Sequence, residues 1–77
     1  MKIEVFGTGC AKCKRLEENV RRAVKEEGVK AEIIKVEDMG EIVKRGVMMT
    51  PALYIDGNEK ALGRVPGVDE IKIMLRK

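Results

Sequence analysis

The chain has 77 residues, 16 of them Lys or Arg and 13 of them Asp or Glu, which gives a formal net charge of +3. A chain of this length is predicted to form a single domain over residues 1–77, and it buries only about 60% of the surface that its unfolded form exposes. Its aromatic residues are one Phe and one Tyr, too few for the stacking of bases, so we expect no nucleic acid among its partners.

The hydropathy of the chain predicts its compartment. It starts Met1-Lys2-Ile3-Glu4, without the long apolar run of a signal peptide. No stretch reaches the roughly 20 apolar residues that a membrane span requires. We therefore expect a cytoplasmic protein with no membrane partner, in a compartment where paired cysteines are normally reduced and reactive.

The first predicted elements are a strand over Met1–Gly7 and a long amphipathic helix that runs to about Glu27. Gly7 and Gly9 break the strand and permit a tight turn into the helix. Apolar residues recur on the helix at steps of three and four, which predicts a stripe that packs in the core. This stripe consists of Cys13, Leu16, Val20, and Ala23 or Val24.

The middle of the chain continues the alternation of strand and helix. Ala31–Val36, rich in Ile and Val, is predicted as the second strand. Asp38 is predicted to cap a short helix over Met39–Arg45. Ala52–Ile55 is the third predicted strand, and Pro51 stands directly before it. That position tolerates proline, which has no N–H to donate to a sheet ladder.

A hairpin and a helix end the chain. Asp56-Gly57-Asn58 is a hairpin turn signal, and Glu59–Val65 is predicted as a more polar fourth strand at an edge of the sheet. The last helix carries Asp69 and Glu70 in its first turn, and its apolar stripe consists of Val68, Ile71, Met74 and Leu75. This order predicts an α/β fold with parallel strands first, then an antiparallel hairpin, and with helices on both faces of the sheet.

Both cysteines of the chain, Cys10 and Cys13, lie two residues apart at the start of the first helix. A thiol in the first turn of a helix meets unpaired N–H groups and the positive end of the helix dipole, which favour the thiolate. Lys12, Lys14 and Arg15 add positive charge. We predict an activated Cys-x-x-Cys pair, with Cys10 exposed and Cys13 one turn inside. Because a disulfide in so short a loop stabilises a fold little, the pair is better explained by chemistry.

The element order, the Cys-x-x-Cys motif and the dipeptide Thr50-Pro51 together resemble the thioredoxin fold over essentially the whole chain. The chain is most similar to the small thioredoxin- or glutaredoxin-like redox proteins of archaea and bacteria. The resemblance implies a β-α-β-α-β-β-α fold with a mixed four-stranded sheet. It also implies a cis Pro51 beside the cysteines, and a Thr50 whose backbone binds the disulfide substrate. Gly67-Val68-Asp69 only partly matches the glutathione-binding residues of glutaredoxins, so the use of glutathione stays open.

The implied activity is that of a protein-disulfide oxidoreductase, which serves electron transport and cell redox homeostasis. Cys10 attacks a substrate disulfide, and Cys13 then resolves the mixed disulfide. We expect no cofactor beyond the redox-active disulfide Cys10–Cys13 and no bound metal. The expected partners are disulfide-containing protein substrates and a reductase that the sequence does not identify, and we expect a monomer.

Several neighbours of the motif leave two interpretations open. Lys12, with Lys14 and Arg15, either stabilises the thiolate of the pair and steers an acidic partner, or belongs to a solvated basic face. Met48 and Met49 either form a flexible apolar rim for a partner or pack in the core. Glu4 lies six residues before Cys10, where thioredoxins carry a buried Asp. It is either buried and accepts the proton of Cys13, or exposed on a partly covered face.

A soft-metal carrier is the alternative function. Residues 7–13 also resemble the Gly-Met-Thr-Cys-x-x-Cys loop of heavy-metal-associated domains, and two thiolates suit Cu(I). The Met of that motif is replaced here by Gly7. That fold also ends in a strand after its second helix, whereas this chain is predicted to end in a hairpin and a helix. Redox exchange is therefore the main prediction.

Overall fold

The computed structural model describes residues 1–9 and 11–76. The order of elements predicted from the sequence is confirmed over these residues. The elements are β1 (Lys2–Phe6), α1 (Ala11–Glu27), β2 (Glu32–Val36), α2 (Met39–Lys44), β3 (Ala52–Ile55), β4 (Asn58–Leu62) and α3 (Val68–Leu75).

The strands form a mixed sheet in the order β2-β1-β3-β4. β1 pairs in parallel with β2 and antiparallel with β3, and β3 pairs antiparallel with β4. At the end of β1, Phe6 lies opposite Val36 on one side and Ala52 on the other. The segment that follows β1 and the segment that precedes β3 therefore meet at the same end of these two central strands.

The β3–β4 hairpin turns through Asp56 and Gly57, whose φ angles are 51° and 82°. Positive φ at both central residues is typical of a type I′ turn, which matches the twist of the flanking strands. β4 lies at the edge as predicted, but the prediction that it reaches Val65 is wrong. The strand ends at Leu62, because Gly63 has a φ of 71° and leaves the extended conformation. Its N–H still donates across to the carbonyl of Pro51 at 2.8 Å.

Each face of the sheet carries its own part of the core, with helices on both faces as predicted. On one face Ile3 and Val5 pack against apolar residues of α1 and α3, namely Leu16, Val20, Ala23, Ile71 and Leu75. On the other face Phe6 packs against Ile42 of α2, with Val36, Val47 and Ala52. Burial of each large side chain contributes roughly 1.5–3 kcal/mol.

The end of α1 and the start of α2 lie where the local sequence predicts. The N–H of Gly28, whose φ is 65°, bonds back to the carbonyl of Val24 at 3.0 Å, and the helix α1 ends there. Asp38 caps α2 by accepting the N–H of Gly40 at 2.8 Å. Within the described residues, none of these helices combines the length and the apolar character that crossing a lipid bilayer demands.

Candidate active site

Cys13 is the described member of the cysteine pair. It is the third residue of α1, and only 6% of it is exposed. The predicted position inside the first turn, on the apolar stripe, is therefore confirmed for Cys13. Cys10 lies outside the described residues, so its exposure and its role as the attacking thiol stay predictions. In the sequence it stands directly before Ala11, where α1 begins.

Gly7 makes room for the side chain of Cys13. A Cβ added to Gly7 would overlap the Sγ of Cys13 and lie 2.9 Å from its Cβ. Gly7 is itself fixed, because its N–H donates to the carbonyl of Val36 at 3.0 Å. The buried sulfur thus rests against the backbone at the end of β1. The sequence indicated only a turn at Gly7, since nothing in it marks a close approach between a sulfur and a backbone.

Thr50 and Pro51 lie at the same end of the central strands as Gly7. Pro51 precedes Ala52, and Ala52 pairs with Phe6, the residue before Gly7. The peptide bond between Thr50 and Pro51 is cis, as the resemblance implied. Pro51 is fully buried and Thr50 is exposed. The arrangement leaves Thr50 accessible to a ligand at the end of the sheet where α1 begins.

A small cleft of about 30 Å³ borders Cys13. Lys35 bridges two carboxylates of the cleft, with its Nζ 3.2 Å from Glu17 Oε1 and 3.7 Å from Glu37 Oε2. Arg21 donates to the other oxygen of Glu17 at 2.9 Å. The hydrogen bond from Arg21, with further help from Lys35, lowers the pKa of Glu17 despite the opposing effect of burial. The cleft is lined by Val5, Gly7, Gly9, Cys13, Lys14, Glu17, Lys35 and Glu37.

Glu4 is buried, with 3% of the residue exposed, so the interpretation as an exposed side chain is wrong. Its two carboxylate oxygens each accept a hydrogen bond of 2.8 Å from the guanidinium of Arg45. These hydrogen bonds lower the pKa of Glu4, against the effect of desolvation. Arg45 also lies over the ring of Phe6, 5.2 Å from its centroid. Glu4 therefore holds the segment that ends α2 against β1.

The sheet separates Glu4 from Cys13. Successive residues of a strand point to opposite faces, so Glu4 shares a face with Phe6 and α2, whereas Val5 faces α1. Cys13 lines the cleft on the Val5 side. The interpretation of Glu4 as the proton acceptor of Cys13 requires both groups on one face, and this structure does not provide that arrangement. The sequence does not reveal Arg45 as the partner, because the two residues are 41 positions apart.

The apolar rim predicted beside Pro51 is present. Met48 is 87% exposed and Met49 is 55% exposed, so the alternative of core packing is wrong for both. Met49 covers Gly63, since its Cε lies 2.7 Å from where a Cβ on Gly63 would stand. Lys12 is exposed as well.

The end of the chain distinguishes this fold from that of heavy-metal-associated domains. β3 and β4 form a hairpin and α3 follows it, where those domains end in a strand. Among residues 1–9 and 11–76, no three or more His, Cys, Asp or Glu side chains cluster in a way that could hold a metal ion. The end of the chain therefore argues against the resemblance on which the Cu(I) alternative rests.

Known proteins match this chain over almost its whole length. A family model described as a thioredoxin domain matches residues 1–76. A protein named thioredoxin from Methanothermobacter thermautotrophicus is 48% identical over 75 residues, which cover 97% of each chain. Another, from Methanocaldococcus jannaschii, is 46% identical over 74 residues, which cover 96% of this chain and 85% of that one. The solved structure of thioredoxin 1 from Thermosipho africanus TCF52B has a TM-score of 0.65 and 25% identity, and the match covers 97% of this chain and 90% of that chain.

Proposed function

The chain belongs to the thioredoxin domain family and is a thiol–disulfide oxidoreductase, and we propose that Cys10 and Cys13 carry out the exchange, with Thr50 and Pro51 beside the substrate disulfide. The observation that carries the proposal is the position of Cys13. Its sulfur is buried against Gly7, at the end of the central strands where the cis Thr50–Pro51 bond lies.

The exchange takes place in two steps. The thiolate of Cys10 attacks one sulfur of the substrate disulfide, which forms a mixed disulfide and releases the other substrate sulfur as a thiolate that takes up a proton. Cys13 then loses its proton and attacks Cys10, which releases the second substrate thiol and leaves the disulfide Cys10–Cys13. The substrate gains two electrons and two protons, and the cysteine pair loses them.

The burial of Cys13 supports this division of roles. A thiol with 6% exposure is poorly placed to meet a large protein disulfide, which suits the resolving role and leaves the attack on the substrate to Cys10. Cys10 stands at the start of α1, where helix N–H groups favour a thiolate. Lys12 adds a positive charge to the same turn. Glu4 acts in the fold, through Arg45.

The substrates are proteins with disulfides, and a reductase returns the oxidised pair to the dithiol. The pair itself is the redox group, so the cycle needs no cofactor bound to this chain. A cytoplasmic location fits a pair that must be kept reduced. We infer that the protein acts as a monomer, because the proposed site is formed by a single chain.

Reduction of insulin by the protein in the presence of dithiothreitol tests the proposal. The wild type is expected to accelerate the reduction, and Cys10→Ser to abolish the acceleration. In a separate reaction without dithiothreitol, reduced Cys13→Ser is expected to accumulate a mixed disulfide with the substrate, because Cys10 attacks and no second thiol resolves the product. The two substitutions are matched controls for each other, since each removes one sulfur. If Cys10→Ser retained the activity, or if only Cys10→Ser trapped substrate, the assigned roles would be wrong.

A further inference from the structure

The basic side chains of the molecule differ in how they are neutralised. Among residues 1–9 and 11–76, seven basic side chains form ion pairs with carboxylates, namely Arg21, Arg22, Lys35, Arg45, Arg64, Lys72 and Arg76. Lys12, Lys14 and Arg15 are exposed, and no carboxylate of the described residues lies within ion-pair distance of them. We call these three residues the cationic face; its charges are free to act on a partner.

The acidic residues near the cationic face do not cancel its charge. Glu17 is shared between Arg21 and Lys35, and Glu37 lies near Lys35. Glu18, one turn along α1 from Lys14, is exposed and makes no ion pair with the described residues. The three cations thus outnumber this exposed carboxylate, and the exposed surface at the start of α1 carries a net positive charge.

The charges at the start of α1 are also unfavourable for the helix itself. The first turn of a helix prefers acidic side chains, which complement the dipole. Glu41 in α2, and Asp69 and Glu70 in α3, follow this rule, whereas α1 has no acid in its first turn. The folding of α1 does not explain this arrangement, which leaves the chemistry of the cysteine pair or a docked partner to explain the cations.

An apolar surface borders the other side of the site. Met48 and Met49 are exposed and directly precede Thr50. A protein segment that lies across Thr50 and Pro51 therefore meets thioether side chains, which adapt to varied partners. This apolar surface gives contact area with little selectivity, and the charged side gives the selectivity.

We propose that the cationic face selects protein disulfides whose flanking residues are acidic. The inference rests on the proposed function, because it names the substrate class of the same site. An acidic segment is attracted to the unpaired cations while its disulfide approaches Cys10, and a basic segment is repelled. Such steering acts mainly on the rate of association and weakens as salt screens the charges.

Three synthetic peptides with the same disulfide, flanked by Asp, by Lys or by Ser, test the proposal. We expect kcat/KM for the Asp peptide to exceed that for the Lys peptide by about tenfold at low ionic strength. The ratio is expected to fall to below about twofold at 1 M salt, where the Debye length is about 3 Å. The Ser peptide reports the exchange activity itself.

Two triple variants locate the effect on the surface. Replacing Lys12, Lys14 and Arg15 by Gln is expected to bring the Asp-to-Lys ratio close to one at low salt. A loss of thiolate stabilisation would slow all three peptides equally and leave this ratio unchanged. The matched control replaces three other cations without ion pairs among the described residues by Gln, namely Lys25, Lys30 and Lys44, and it is expected to keep the ratio.

The outcomes separate this proposal from the proposed function. If the wild type reduces the Ser peptide well but treats the Asp and Lys peptides alike at low salt, the selectivity proposal is overturned and the exchange activity stands. If both triple variants lose the ratio equally, net charge rather than the cationic face is responsible, which also overturns the proposal. If none of the peptides is reduced, both proposals fail.

Discussion

Substitution of Gly7 by Ala is expected to disturb Cys13 more than any other part of the molecule. The added methyl carbon would overlap the Sγ of Cys13 and lie 2.9 Å from its Cβ. The backbone cannot easily move away, because Gly7 is bonded to Val36. α1 is fixed as well, by the fully buried Leu16 and Val20. The strain is therefore relieved mainly by displacement of the Cys13 side chain.

Overpacking of this kind typically costs about 1–3 kcal/mol in the free energy of unfolding. In a domain of this size each kcal/mol lowers the melting temperature by about 4–8 °C. Thermal denaturation of the reduced protein measures the cost. Gly67→Ala is the matched control, because nothing lies within 4 Å of a Cβ at Gly67 and its φ is −74°, and we expect it to cost less than about 1 kcal/mol.

The same substitution is expected to act on the second step of the exchange. A displaced Cys13 attacks the mixed disulfide more slowly, while the attack by Cys10 on the substrate is affected less. Acid quenching of a single turnover should therefore show more mixed disulfide for Gly7→Ala than for the wild type. A variant as stable as Gly67→Ala, with no additional mixed disulfide, would refute the close packing of Cys13 on Gly7.

Three further predictions concern the other contacts. Glu4→Gln should lower the free energy of unfolding by only about 1–2 kcal/mol in denaturant titrations, because water can reach the Arg45 that loses its partner. The substitution should leave the pH profile of thiol exchange unchanged, and a shifted profile would link Glu4 to Cys13. Arg45 lowers the folded-state pKa of Glu4 below its ordinary 4.5, so the stabilisation from this ion pair is present above about pH 4.5 and is lost as the pH falls through the folded pKa. Below that pKa the difference in the free energy of unfolding between the wild type and Glu4→Gln should shrink. A constant difference would argue against the ion pair. Gly63→Ala should cost about 1–2 kcal/mol in thermal denaturation because of the φ of 71° and the contact with Met49, and an unchanged melting temperature would contradict both.

Local patterns in the sequence predicted most of the fold. The spacing of Cys13, Leu16 and Val20 located the buried face of α1, because side chains three and four residues apart share one side of a helix. Asp56 and Gly57 predicted the hairpin for an equally local reason, the positive φ that this turn requires. The cis bond before Pro51 followed from the resemblance to a family, not from the residues alone.

The contacts that the sequence did not reveal are those between distant segments. The partner of Glu4 is Arg45, which follows α2, and only the packing of that helix on the sheet brings the two together. Just after the end of β4, Gly63 likewise donates its N–H to the carbonyl of Pro51, which lies just before β3. Gly7 was predicted as a turn residue, whereas its more specific role lies in a contact with α1.

Competitive alkylation of the two thiols tests the division of roles most directly. The reduced protein is treated with limiting iodoacetamide at neutral pH, and the modified cysteine is identified by mass spectrometry. Cys10 is expected to react first, as a thiolate at the start of α1, and Cys13 slowly, because only 6% of it is exposed. Labelling of Cys13 before Cys10, or at the same rate, would contradict the assignment of Cys10 as the attacking thiol and Cys13 as the resolving one.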